Sequence, residues 1–398
     1  MPCLQFPSLF SAFDVFPSGK GASVHIAHNA QTLFQWAKGG VLYVLGNKMQ
    51  PTFEQEQYNA IIRFPSTQPN YLQRAKAFSN GLFQFLQTQT QLQICHFRDI
   101  WSGLPILTHN LAQERSQKYQ TIYEVNGIAS IELPYHYPLI SQNTLQKIQQ
   151  LEQFCYQNAD FLLTPSETIK QNLIKIGVSD SKITVISNGA DIPNRRIPRP
   201  LEAPERYIIY FGTLQLWQGI DTLLQAFRYL LSYFYNDIFL VICASTRAKT
   251  TKKWYQFAQK LGVAEKVIWK YQLSQNVLQR WIKHALFSVA PLKACSRNIS
   301  QGCCPIKILE SMAVATPVIA SDLPTVRDII TSEKYGKLVP PDRPIELARA
   351  MCLWVEQPQV RKNIGIWAQD YIRNNYTWAK KHVELRDFYQ TIKNQSKK

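Results

Sequence analysis

The feature that most restricts this chain is a rhythm. Apolar runs of strand length alternate with segments of helical period, and glycines stand at several of the helix ends. Val41 to Leu45, Phe161 to Thr164, Lys182 to Ser187, Tyr207 to Gly212, Ile238 to Cys243, Val267 to Trp269, Leu286 to Pro291 and Pro317 to Asp322 read as strands. Between them, Ile26, Ala30, Leu33, Phe34 and Ala37 form a stripe on one helix face, as do Leu145, Ile148, Leu151 and Cys155. Ile220, Leu223, Leu224, Phe227 and Leu231 form a third. Ser166 reads as a helix N-cap and Gly177 as the residue just past that helix. A chain written this way builds βαβ units, hence parallel sheets covered by helices.

The rhythm breaks once. Ala190 to Arg206 holds Pro193, Pro198, Pro200 and Pro204 with four arginines, and neither a helix nor a central strand tolerates that spacing of proline. The reading is therefore two doubly wound domains, at 1–195 and 207–375, with a linker at 196–206 and a C-terminal helix at 376–398 returning to the first domain. A length of 398 residues, 45% of them apolar, suits two cores better than one. Ligands of such sheets bind outside the carboxyl ends of the strands, so two sheets facing across a cleft offer room for a donor and an acceptor.

The net charge is +17. Lysine and arginine are scattered rather than blocked, which disfavours a nucleic-acid stripe. A broad positive field suits an anionic substrate or an anionic membrane surface, or is simply a basic surface. No apolar run approaches the ~18–20 residues of a membrane span, and Met1 to Phe13 has no basic start or cleavage site, so the expected location is cytoplasmic, peripheral at the inner face of the membrane. The eight cysteines form no C-x-x-C pair; buried free thiols are expected, and no metal.

The richest stretch runs from Gln301 to Asp322. Pro305 suits the first turn of a helix. The N–H groups of Cys303, Cys304, Ile306 and Lys307 would then lie at the positive end of the helix dipole, where a phosphate binds. Glu310, about a turn and a half deeper, has the reach to accept two hydroxyl hydrogen bonds, as from a ribose diol. A solvated helix glutamate is the plainer alternative.

Lys307 to Asp322 resembles the signature segment of family 4 retaining glycosyltransferases, in which a glutamate precedes a small-residue helix end and a P-V-[IV]-A-[ST]-D strand. Tyr207 to Phe227 is similar to the family's strand, G-R-L-x-x-x-K-G turn and amphipathic helix. Ala159 to Ser166 and Val185 to Asp191 resemble the end of its first domain. The likeness is continuous from about Gln153 onward and weaker before. It implies the GT-B fold, two Rossmann-like domains facing across a cleft. It implies transfer of a sugar from a nucleotide-sugar donor, with retention, and no metal or other cofactor. Glu310 would hold the donor ribose, with Gly212, Thr213, Gln218, Gly219, Pro305, Ile306 and Lys307 around the donor.

The chain departs from the family at several places. Where the family has an earlier glutamate, eight residues before Glu310, stands Gly302. The arginine after the strand glycine is Thr213, and the lysine before the next glycine is Gln218. Those cations hold the donor diphosphate, so Lys307, Arg297 or Lys293 would have to supply charge instead. In the first domain, Pro17 to His25 resembles the glycine-rich loop after the first strand, facing the cleft, with Gly21 expected to approach the donor sugar or phosphate. His96, Arg98 and Asp99 are placed at the end of one strand, and Glu124 and Asn126 at the end of another. Asn126 falls where the family often has a histidine. His96, Asn126 and Glu310 are the candidate catalytic residues; Lys20, Arg98, Asp99 and Glu124 are assigned to the acceptor side. The acceptor is expected to be a glycan or lipid-linked molecule of cell-surface polysaccharide or glycolipid synthesis. A GT-B nucleotide-sugar epimerase and a non-catalytic nucleotide-sugar-binding protein are the alternatives.

Overall fold

The computed structural model describes residues 4–19, 21–47, 49–65, 67–194, 196–233 and 237–395. The chain divides into two compact units. One comprises 1–18, 22–187 and 381–398, the other 19–21 and 188–380.

The first unit is built on eight strands: β1 (Ser8–Val15), β2 (Gly40–Gly46), β3 (Phe53–Glu56), β4 (Asn59–Pro65), β5 (Ile94–Phe97), β6 (Gln120–Glu124), β7 (Phe161–Thr164) and β8 (Ile183–Val185). Their order in the sheet is β3-β4-β2-β1-β5-β6-β7-β8. All neighbours are parallel except β3, which runs antiparallel to β4 at the edge. Strand alternation sorts the apolar residues between two faces. Leu9, Val41, Tyr43 and Leu45 join the core with Phe78, Leu82, Ile106, Ile148 and Cys155. Phe10, Leu42 and Val44 face Ile26, Ala30 and Leu33 of the helix Gly21–Ala37. The same face is completed by Leu385, Tyr389 and Ile392 of the helix Trp378–Gln395.

The second unit holds β9 (Arg206–Gly212), β10 (Ile238–Ala244), β11 (Val267–Tyr271), β12 (Ser288–Ala290), β13 (Val318–Ser321) and β14 (Lys337–Val339), all parallel, in the order β11-β10-β9-β12-β13-β14. Ile208, Tyr210, Leu240 and Ile242 pack on one face with Leu223, Leu224 and Phe227 of the helix Ile220–Ser232. Tyr207, Ile209, Phe211, Val241 and Cys243 pack on the other with Trp281 and Val314. Full burial of such a side chain contributes about 1.5–3 kcal/mol.

In each sheet the strand order reverses beside the first strand of its unit, between β1 and β5 and between β9 and β12. The carboxyl ends of those strands are the places where a doubly wound sheet binds ligands. Ser166 caps its helix, its hydroxyl accepting from Ile169 N at 3.3 Å, and Gly177 past that helix has a φ of +94°. Cys95, Cys155, Cys243 and Cys304 are buried free thiols. Among the described residues no helix is long and apolar enough to cross a membrane, and no group of three His, Cys, Asp or Glu side chains is arranged to hold a metal.

Candidate functional site

In the second unit, the segment after β9 forms one wall. Gly212 ends the strand with a φ of +123°, and Leu216 to Gln218 make a single turn before Gly219. Gly219 adopts a φ of +70°, and a Cβ there would stand 1.8 Å from the carbonyl oxygen of Pro291, just past β12. Only glycine fits where the loop crosses the reversal point so closely.

The helix Ile306–Ala313 forms the opposite wall. Pro305 stands at the N-cap position just before the helix, not inside its first turn, with a ψ of 95°. The first-turn N–H groups of Ile306 and Lys307 have no intrahelical acceptor, as at any helix start. That of Cys303 is already engaged, donating to Thr325 Oγ1 at 3.2 Å, which takes it from the expected set of phosphate donors. Asn188 Nδ2 donates to the Cys304 carbonyl at 3.0 Å and ties down the loop before the helix.

Glu310 accepts a hydrogen bond from Gln275 Nε2 at 2.7 Å. Burial pushes its carboxyl up to about 7, against the opposing pull of Gln275 and Lys307. One turn earlier, the Lys307 ammonium reaches across to the strand wall. It lies 3.0 Å from Tyr210 Oη and 4.3 Å from that ring's centroid, and it donates to Gln218 Oε1. Burial pushes it down to about 7, although Cys303 and Glu310 favour its charge. The Tyr210 hydroxyl in turn donates to the carbonyl of Thr213 at 2.5 Å. The structure thus brings together Gly212, Thr213, Gln218, Gly219, Ile306, Lys307 and Glu310, all expected from sequence. Tyr210 and Gln275 are additional; a tyrosine in an apolar strand and a glutamine at a helix start carry no signal that singles them out.

In the first unit a second polar cluster forms around Glu124, the last residue of β6, which is 1% exposed. His25 Nε2 and Asn126 Nδ2 bond to its Oε1. Asn29 Nδ2 donates to Oε2 at 2.9 Å, His96 Nε2 lies 3.0 Å from Oε2, and Arg98 Nε lies 3.4 Å from Oε1. Burial alone would raise the Glu124 carboxyl, but the charge and hydrogen bonds of His25 and His96 outweigh it and hold it well below the usual range. Burial conversely pushes the His96 imidazole down. His96 is not at a strand end: it is the third residue of β5, fully buried, with Nδ1 2.9 Å from the Tyr389 hydroxyl. Tight parallel pairing carries β5 one residue beyond it.

Arg98 pairs with Asp14 at 3.1 Å. Asp99 caps the helix Ile100–Ala112, accepting from Ser102 N at 2.9 Å, and it also accepts from Phe13 N at 2.7 Å. These bonds place Asp99 in the scaffold of the loop. Gly21 opens the first helix, and Lys20 lies outside the described residues. His25 and Asn29, one helical turn apart, were not legible as partners of Glu124, which is 99 and 95 residues away.

Known proteins give this geometry its context. Residues 19–193 match the model of Glycosyltransferase Family 4, and residues 191–370 match that of Glycosyl transferases group 1. An uncharacterized glycosyltransferase of Methanocaldococcus jannaschii is 20% identical over 295 residues, 71% of each chain. The lipopolysaccharide 1,6-galactosyltransferase of Salmonella typhimurium is 24% identical over 297 residues, covering 70% of this chain and 69% of that one. The fold superposes on Anabaena HepE, solved in complex with UDP-glucose, with a TM-score of 0.72 at 15% identity, over 96% of this chain and 99% of that one. With a reversal of strand order in each of two doubly wound units and both halves matched in order, the chain belongs to the family 4 glycosyltransferases and has the GT-B fold.

Proposed function

We propose that the enzyme moves a sugar, with retention, from a nucleotide-sugar donor to a glycan or lipid-linked acceptor in the assembly of cell-surface polysaccharide or glycolipid. One observation carries the donor half of this reading: Glu310, oriented by Gln275, and Lys307, seated on Tyr210, project from one helix beside the reversal of the second sheet. The glutamate accepts the ribose hydroxyls, and the start of the helix with Lys307 takes the diphosphate. As the anomeric bond breaks, negative charge grows on the diphosphate leaving group, so a fixed cation there stabilises the transition state more than the ground state. The Glu124 cluster of the first unit serves the acceptor side. Its carboxylate receives the Asn126 amide N–H, so that the Asn126 carbonyl oxygen is left to accept from a sugar hydroxyl.

The likeness to a lipopolysaccharide galactosyltransferase supports a lipid-linked or glycan acceptor, and the UDP-glucose complex of HepE puts UDP-hexoses first among donors to try. The +17 charge supports docking on an anionic membrane face; liposome binding that does not weaken with added salt would count against it. The departures at Gly302, Thr213 and Gln218 favour a second reading, a nucleotide-sugar-binding protein without turnover. Thermal shift against UDP-, GDP- and ADP-sugars, for wild type and Glu310→Ala, tests the donor site. NMR of the product anomer with a lipid-linked or oligosaccharide acceptor separates transfer with retention from inversion. Donor binding with no product from any acceptor supports the second reading.

A further inference from the structure

The departures in the donor loop remove two positive charges, and the fold brings Lys307 to the same loop from a different element. Thr213 and Gln218 occupy the positions where the resemblance leads one to expect arginine and lysine. The ammonium of Lys307 donates to Gln218 Oε1, and a Cβ on Gly212 would be 3.3 Å from Lys307 Nζ. The charge therefore arrives at the same loop, from the helix wall. The other lysine nearby is committed elsewhere: Lys293 Nζ bonds Asp221 at 2.5 Å and lies 3.8 Å from Asp342. With two carboxylates beside it, that group carries a net negative charge and has none to offer a diphosphate.

We propose that Lys307 replaces the missing loop cations as the side chain that grips the donor diphosphate, with Gln218 and Tyr210 as its positioning residues. The proposal rests on the donor-site reading above. A lysine on a mobile loop loses rotamer freedom when it binds. Lys307 is held in advance by a carbonyl oxygen and a ring face, so less is lost on closing onto a phosphate. Gln218 is then the counterpart of the lost cation: it is uncharged because the space in front of it is already occupied by one. Around the ammonium stand Tyr210 from β9, Gln218 from the turn after it, Cys303 and Arg297 from the segment before the helix, and Glu310 from its own helix.

The test relocates the charge. Binding of UDP, GDP and ADP is measured by calorimetry for wild type, Lys307→Gln, and the double variant Lys307→Gln/Gln218→Lys, with melting temperatures of each. Lys307→Gln is expected to weaken the preferred diphosphate about 10- to 100-fold, the loss of one charge-assisted bond. The double variant, with its lysine back on the loop, is expected to recover most of that. A merely structural lysine would lose affinity only in step with its melting temperature, so weaker binding by a Lys307→Gln variant that melts like wild type identifies the charge itself. Unchanged affinity in Lys307→Gln, or no recovery in a double variant that melts like wild type, overturns the proposal while leaving the donor site standing if Glu310→Ala still weakens binding. Failure of wild type to bind any of the three overturns both.

Discussion

Gln275 Nε2 donates to Glu310 Oε1 across 2.7 Å, so the carboxylate that faces the second sheet's edge is already oriented before any ligand arrives. One oxygen is occupied by the amide, and an incoming diol has to share or displace that bond. Glu310→Ala is expected to weaken the donor about 10- to 100-fold, the cost of hydrogen bonds to a charged group. Gln275→Ala, which leaves the charge in place, is expected to cost less than tenfold. Calorimetry with the preferred UDP-, GDP- or ADP-sugar distinguishes the two; equal losses would mean that Gln275 itself binds the donor.

Donor affinity is expected to peak near neutrality. Below about pH 7 Glu310 takes up a proton and becomes a weaker acceptor for hydroxyls, while above about pH 7 Lys307 loses its charge. The alkaline fall approaches tenfold per pH unit at most, since one proton is linked. Titrations on both sides of neutrality check this, and the alkaline limb should vanish in Lys307→Gln.

The same carboxyl has a cost in stability. Its folded value, about 7, lies above the ordinary one, so its contribution is fully present in acid and is lost as pH rises through about 7. Glu310→Gln should therefore melt higher than wild type at about pH 8, with the gap closing in acid. Scanning calorimetry at both pH values decides it. An equal or lower melting temperature at the higher pH would contradict the assignment.

Glu124 has the opposite sign. Its value is held below the ordinary one, so its contribution is present above the usual carboxylate range and is lost as pH falls. Glu124→Gln keeps the shape but leaves the largely buried Arg98 with Asp14 alone. Urea unfolding at neutral pH should show a loss of about 3–5 kcal/mol. A loss below about 1 kcal/mol would mean that the cluster is solvated.

Restoring the family's earlier glutamate should not restore anything else. Gly302 has a φ of +88°, and the five-residue π turn before it ends there. With a ψ of 177°, this is an extended positive-φ region that only glycine adopts readily, and Gly302→Glu forces a side chain into it at a cost of about 1–3 kcal/mol. The variant is expected to melt lower with no gain in transfer rate, read by product formation. A faster enzyme would show that the loop rearranges to accept the side chain.

Much of this was written in the local pattern. Continuous apolar runs marked most strands of both sheets, because a strand buried on both faces must be apolar along its length. The proline-rich stretch from Ala190 marked where the rhythm stops, and Gly302, Thr213 and Gln218 were visible as departures. The antiparallel β3 was not legible, since Phe53 to Glu56 is mostly exposed and polar and pairs only at an edge. His96 was misplaced by a residue because strand ends are set by pairing partners, which no local pattern shows.

The sequence by itself therefore determined most of the elements, the mainly parallel character of the sheets, and the helix that carries Lys307 and Glu310, since period and capping act between residues a few positions apart. Only the tertiary structure decided which polar groups meet: Lys307 with Gln218 at a separation of 89 residues, His25 with Glu124 at 99. Those meetings depend on strand order and on which face each helix covers. They arise because a buried polar group must find a partner wherever the packed chain supplies one, near in sequence or not.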